Sequence, residues 1–119
     1  MVYKDFQTKK LSALGLGAMR LPLTAGGSDA EIDETKTAEM TAYAMEHGIN
    51  YYDTAYGYHE GQSEIVMGKI LGKYPRESYY LASKFPGYDL SNMGKVEEIF
   101  EEQLQKCKVD YFDFYLFHN

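Results

Sequence analysis

The strongest constraint on this chain is a rhythm. Short, dense, aromatic-rich runs at residues 14–19, 49–54, 79–84 and 111–118 alternate with stretches whose apolar residues fall at helical spacing. The runs recur roughly every 30 residues, the size of one strand–helix–strand unit. Nearly unbroken apolar strands alternating with helices mark a parallel sheet covered by helices. The first helix is expected from Asp33, a good N-cap, with Met40, Tyr43, Ala44 and His47 at i, i+3, i+4 and i+7 and Gly48 as a left-handed stop. The second is expected from an N-cap at Ser63, with Val66, Met67, Ile70 and Leu71 on one face and Gly72 at its end. The third spans 95–108, with Val96, Ile99, Phe100, Leu104 and Cys107 as its buried stripe. Ahead of all this, 2–6 and 10–13 flank a polar Gln-Thr-Lys stretch and predict a small hairpin.

Composition excludes several classes. The 45% apolar and 25% charged fractions are globular, not disordered or collagen-like. Twelve Lys and Arg against 18 Asp and Glu give a net charge of −6, which argues against electrostatic capture of nucleic acid or an anionic membrane. No window is apolar enough to span a bilayer, and the start Met1-Val-Tyr-Lys-Asp-Phe lacks the apolar run of a secretory signal. One cysteine, Cys107, forms no internal disulfide, and no CxxC offers a zinc site, so no metal is expected. The expectation is a mildly acidic, cytoplasmic chain.

Two architectures share the alternating pattern, a doubly wound open sheet and a (β/α)8 barrel, and the strand ends separate them. Three consecutive runs finish in an ionisable side chain: Ile49-Asn-Tyr-Tyr-Asp53, Tyr80-Leu-Ala-Ser-Lys84 and Phe112-Asp-Phe-Tyr-Leu-Phe-His118. Strand alternation puts Asp53 on the face of Tyr51, Lys84 on that of Ala82 and Tyr80, and His118 on that of Leu116, Phe114 and Phe112. In register, a carboxylate, an ammonium and an imidazole converge at one carboxyl rim, where barrel enzymes place their active sites. A strand-terminal Lys or Asp alone is usually a solvated end; three in a row, with Tyr58 five residues beyond Asp53, favour function. The dinucleotide fingerprint fails. Gly15-Leu-Gly17-Ala-Met-Arg20 has arginine at the third glycine position, and Leu21-Pro22 follows where a helix should start. Gly15 and Gly17 instead suit a strand whose backbone approaches a ligand closely. Tyr56 and His59 read as ordinary loop residues, Cys107 as a small core residue, and the Glu97-Glu98 and Glu101-Glu102 pairs as a solvated helix face.

The segment Asn50-Tyr-Tyr-Asp53-Thr-Ala-Tyr-Gly-Tyr58, followed by Glu60, resembles the signature segment of the aldo-keto reductases. Leu14-Gly-Leu-Gly-Ala-Met19 resembles that family's first barrel strand. Leu-Ala-Ser-Lys84 and Tyr-Leu-Phe-His118-Asn fall where its third and fourth strands carry a catalytic Lys and His, and the hairpin matches the plug of the barrel floor. The likeness covers essentially the whole chain and is nearest to bacterial members that run on into an iron–sulfur segment. It implies reduction of an aldehyde or ketone by hydride transfer from NADPH, with NADH as the alternative cofactor. Tyr58 would be the general acid. A free tyrosine holds its proton up to a pH of about 10, and a neighbouring cation favours its charged form, the role implied for Lys84. Asp53 would pair with Lys84, and His118 would hydrogen-bond the substrate oxygen. Gly17, Ala18, Met19 and Arg20, with Asp53, match the segment lining the nicotinamide ribose; the family's usual Thr hydroxyl is absent at Ala18.

Length then becomes informative. A (β/α)8 barrel takes about 250 residues, whereas 119 residues hold a hairpin, strands one to four and three helices. The chain is thus expected to be the amino-terminal half of a single barrel domain. Barrel phosphate sites typically involve the loops after strands seven and eight, so negligible NADPH affinity and turnover are expected of these 119 residues alone. The competing expectation is a non-enzymatic half-barrel that self-associates through its open edges.

Overall fold

In the computed structural model, which describes residues 1–119, a turn at Gln7 (φ 55°) lets β1 (Tyr3–Phe6) pair antiparallel with β2 (Lys9–Ser12). Four further strands, β3 (Leu16–Gly17), β4 (Tyr51–Asp53), β5 (Tyr80–Phe85) and β6 (Phe114–Phe117), lie parallel in that order. Helices α1 (Glu34–Glu46), α2 (Gln62–Leu71) and α3 (Val96–Cys107) fill the three crossovers. The architecture is the expected α/β one, a four-stranded arc of the (β/α)8 type with β3 and β6 as open edges and no closed barrel.

The arc is chemically two-sided. Tyr52, Leu81, Ser83 and Phe85 point toward the helices and are buried. There Tyr52 and Leu81 join Val66, Met67, Ile70 and Leu71, the face of α2 expected from its spacing, together with Ala44 and Cys107. Helices α2 and α3 touch closely: a Cβ at Gly68 would lie 2.5 Å from the Lys106 carbonyl oxygen. Burial, with the charge of Glu64 adding, pushes the Cys107 thiol well above its ordinary range, as suits a core residue. The other face carries Tyr51, Asp53, Tyr80, Ala82, Lys84, Phe114 and Leu116. The hairpin docks below it, at the amino end of β4, where Asn50 accepts from Ser12 N (2.8 Å) and donates to the Lys10 carbonyl (2.9 Å). Phe6 packs on Phe114 with ring centroids 5.7 Å apart.

Several expectations are corrected in detail. Helix α1 is capped by Asp33, which accepts from Lys36 N (3.0 Å), and stops at Gly48 (φ 88°) as foreseen. Its buried residues, however, are Thr37, Thr41 and Ala44, while Met40 and Tyr43 are exposed and His47 stacks on Tyr43 in solvent. The two threonine hydroxyls donate to the carbonyls of Asp33 and Thr37 one turn back, so neither enters the core unpaired. Ser63 is not the cap of α2. That position falls to Gly61 (φ 91°), and Ser63 is buried, donating to the Ala18 carbonyl at 2.9 Å. In α3 the buried stripe is Ile99, Gln103 and Cys107, and Val96 is exposed. Phe112 precedes β6 and packs on the helix side against Phe100 and Tyr115 instead of facing the interior.

Arg76 fastens the amino ends of β5 and β6. Its guanidinium donates to Asp113 Oδ2 (2.7 Å) and to the carbonyls of Tyr79 and Tyr111 (both 2.9 Å), and Asp113 Oδ2 also accepts from Leu81 N (2.8 Å). Both side chains are largely buried, so Arg76→Leu strands a carboxylate; urea unfolding should show a loss of about 2–3 kcal/mol. Burial raises the phenols of Tyr51, Tyr52, Tyr79 and Tyr115, the last pushed up to about 12, with Glu64 adding to it. A proton held more tightly in the folded state gives stability that is complete below the unfolded value near pH 10 and is lost as pH rises toward the folded value. The urea midpoint should therefore fall between about pH 9 and about pH 11, and an unchanged midpoint would contradict it.

Candidate functional site

The site starts from strand stagger. Asp53 is level with Gly17 on one side and Ala82 on the other, and Lys84 is level with Leu116. The ionisable residues are therefore not in register: Lys84 stands two residues above Asp53, and His118 two above Lys84. Each step is roughly 6.6 Å along a strand, and the lysine stem closes the first by reaching back. Its Nζ lies 2.5 Å from Asp53 Oδ1, 2.9 Å from the Thr54 carbonyl oxygen and 2.9 Å from the Tyr58 hydroxyl. An ammonium has three hydrogens, and these acceptors take one each. The Lys84 side chain keeps only 12% of its exposure and Asp53 27%.

His118 follows β6, held by its N–H to the Phe85 carbonyl (2.9 Å). Its ring stands edge-on to Tyr58 and Tyr88, with centroids 5.8 and 5.4 Å away. Nδ1 is buried with no hydrogen-bond partner. Asp53, Tyr58, Lys84 and His118 thus lie together at the carboxyl rim.

Tyr58 reaches the rim from a loop after β4 whose next two residues, His59 and Glu60, are left-handed (φ 54° and 55°). His59 holds that shape. Its Nε2 accepts from Leu21 N at 2.9 Å, which leaves the Nδ1 hydrogen to donate to the Asp29 carbonyl at 2.7 Å. Only 3% of it is exposed, so it braces the loop and does not face solvent. Tyr56 donates to Glu102.

The segment after β3 divides. Gly17 sits beside Asp53, and a Cβ there would meet nothing within 4 Å, so its backbone is open to a ligand. Gly15 has a different reason, because a Cβ would press on the Tyr51 ring at 3.1 Å. Ala18 has a buried side chain, and its N–H and carbonyl already pair with Asp53 O and Ser63 Oγ. Met19 and Arg20 are exposed and line a cleft of about 260 Å³ with Asp29, Gly57, Tyr58 and His59. The positions matched to the nicotinamide segment border two clefts: Met19 and Arg20 line this one with the Tyr58 hydroxyl, and the open backbone of Gly17 lines a second with Gly15, Tyr51 and Asp53. A cation, a hydroxyl and free backbone are groups that suit a nicotinamide ribose. Sequence reasoning missed Tyr88, on the loop after β5, and a buried polar cluster of Glu64, Ser83 and Gln103 under Lys84. The available signal was Gln103 itself, a polar residue midway between Ile99 and Cys107 on the buried side of α3.

Comparison with known proteins bears on the family and the fold. The model of the aldo/keto reductase family matches residues 13–119. The NADH-specific methylglyoxal reductase of Escherichia coli is 32% identical over 91% of this chain and 38% of its own length. The holo aldo-keto reductase AKR11C1 of Bacillus halodurans superposes on 98% of this chain and 40% of its own, with a TM-score of 0.77 and 30% identity. An aldo-keto reductase from Klebsiella pneumoniae, in complex with NADPH, superposes on 99% of this chain and 40% of its own, with a TM-score of 0.74 and 25% identity. The chain spans about a third of the length of the curated relatives it matches. With the family model matching residues 13–119 of this chain and the fold shared, this chain belongs to the aldo/keto reductase family.

Proposed function

We propose that residues 1–119 are the amino-terminal part of a single barrel domain that reduces an aldehyde or ketone. The observation that carries this is the Lys84 ammonium in contact with both Asp53 and the Tyr58 hydroxyl. Because Lys84 donates to the Tyr58 oxygen, the hydroxyl hydrogen of Tyr58 is left free to point at a carbonyl oxygen. Tyr58 gives up that proton as negative charge develops on the substrate oxygen, and the phenolate left behind faces a cation already in place. Asp53 and the Thr54 carbonyl hold that cation still. His118, set between the rings of Tyr58 and Tyr88, hydrogen-bonds the same substrate oxygen and orients the carbonyl.

When bound, a nicotinamide cofactor supplies the hydride to the carbonyl carbon. The backbone at Gly17, the side chains of Met19 and Arg20, and Asp53 would hold its nicotinamide end, while Ala18, whose N–H and carbonyl are already paired, would fix the strand end between them. NADPH is the reading, supported by the Klebsiella pneumoniae complex; the NADH-specific Escherichia coli relative makes NADH the alternative. The test is reduction of a set of aldehydes by a barrel in which residues 1–119 replace the matching segment of the Bacillus halodurans reductase. Tyr58→Phe there should lower kcat by about 10²- to 10⁴-fold with KM little changed, while Tyr56→Phe leaves both alone. Undiminished turnover by Tyr58→Phe would refute the assignment. The 119 residues alone should bind NADPH too weakly to turn over, and micromolar binding would contradict that.

A second reading has its own observation. Edge strand β6 exposes Tyr115, Leu116 and Phe117, and Leu14 is exposed before edge strand β3. An unpaired edge lined with apolar side chains invites pairing, so the 119-residue chain would act as a self-associating module. Light scattering after size exclusion should then show dimers or larger species, and a strictly monomeric, cooperatively unfolding chain would exclude it.

A further inference from the structure

Beneath Lys84, on the helix side of the sheet, Glu64, Ser83 and Gln103 have no solvent exposure at all. They come from α2, β5 and α3. Ser83 donates to Glu64 Oε2 at 2.7 Å. Gln103 Nε2 lies 2.8 Å from the Lys84 carbonyl oxygen, 2.9 Å from Glu64 Oε2 and 3.2 Å from Ser83 Oγ. The far end of Gln103 is fixed too, because the Tyr115 hydroxyl donates to its Oε1 at 2.5 Å. Lys106 Nζ stands 2.9 Å from Glu64 Oε1, an ion pair whose angle makes no hydrogen bond but offsets the buried charge.

Stability alone gives little reason for such a cluster, since apolar side chains of similar volume commonly hold a core equally well. Its direction is informative. Gln103 aims at the carbonyl of the one residue whose ammonium joins Asp53 to Tyr58, and Ser83 is that residue's neighbour. Residue 63, next to Glu64, does the same for the adjoining strands: Ser63 Oγ donates to the Ala18 carbonyl and pairs with Thr54 Oγ1 at 2.8 Å. Helix α2 therefore grips the tips of β3, β4 and β5 with two successive side chains, and Gln103 of α3 completes the grip at Lys84.

We propose that Gln103, supported by Glu64, Ser83 and Tyr115, is a positioning residue that fixes the backbone of Lys84 and so holds its ammonium against Asp53 and Tyr58. The idea rests on the reading of Lys84 and Tyr58 as a reacting pair, and its test is made without turnover. In the 119-residue chain labelled with ¹⁵N-lysine, the exchange of the Lys84 ammonium hydrogens with water is read by NMR, with exposed Lys4 as reference. Gln103→Met keeps the length and removes the donors; it should speed Lys84 exchange about fivefold, the worth of one net hydrogen bond, without changing Lys4. Tyr115→Phe, which removes only the brace on Gln103, should have a smaller effect in the same direction, and it decides the matter if Gln103→Met does not fold. Ile99→Val, a neighbour on α3, should lower stability and leave Lys84 exchange unchanged. Lys84 exchange as fast as that of Lys4 in the parent chain, no response to either variant, or an equal response to Ile99→Val would each overturn the proposal. A completed barrel that is inactive although Lys84 responds as stated would instead refute the catalytic reading and leave the positioning role intact.

Discussion

One ammonium with three acceptors sets the terms for the rest of the molecule. Lys84 is mostly withdrawn from water, and a desolvated cation is tolerable only when opposite charge and hydrogen-bond acceptors replace its hydration. Asp53 supplies the charge, and the Thr54 carbonyl and Tyr58 hydroxyl supply the rest. These acceptors come from a strand, a strand terminus and a loop, so they diverge. A planar arginine fork would satisfy Asp53 with two parallel bonds but could not meet three groups arranged around a point. The flexible four-carbon stem can, and it also spans the two-residue step between β4 and β5.

That requirement explains the two-sidedness of the arc. On the helix side, strand and helix residues close into a dry core that fixes β4 and β5 relative to each other. On the other side the side chains are sparse, aromatic and polar, and they are left free to meet what comes to the rim. The buried amide and carboxylate under Lys84 belong to the first side by position and to the second by consequence. Through Gln103 they hold one peptide group, the Lys84 carbonyl, whose side chain projects the opposite way.

Much of this was legible in the sequence, and the failures share a cause. Strand rhythm, the face of α2 and the ionisable strand ends were readable because each depends on local periodicity, and they place Asp53, Lys84 and His118 on one face. The missed features depend on which polar groups find partners from distant segments. Met40 and Tyr43 outrank Thr37 and Thr41 in hydrophobicity, yet the threonines are buried because they bond to their own helix and fit closer to the sheet. Ser63 has the composition of a cap, but the carbonyl of Ala18, 45 residues away, claims its hydroxyl. His59 looks like a surface loop residue until Leu21 and Asp29 arrive from the preceding crossover. Phe112 keeps strand parity on paper and loses it because pairing begins only at Phe114.

The loop holding Tyr58 shows how strongly the fold defends one hydroxyl. Two consecutive non-glycine residues in the left-handed region cost about 1–2 kcal/mol each, and such a conformation persists only when its surroundings over-determine it. Here a buried imidazole accepts from one backbone N–H and donates to one carbonyl, both in the 21–29 segment. The strain at His59 and Glu60 and the tether of that segment are therefore one arrangement seen from two ends. The same tether brings Met19, Arg20 and Asp29 to the border of the cleft at Tyr58. Through His59, then, the same two hydrogen bonds fix both the wall of the cleft and the turn that presents the Tyr58 hydroxyl to the Lys84 ammonium.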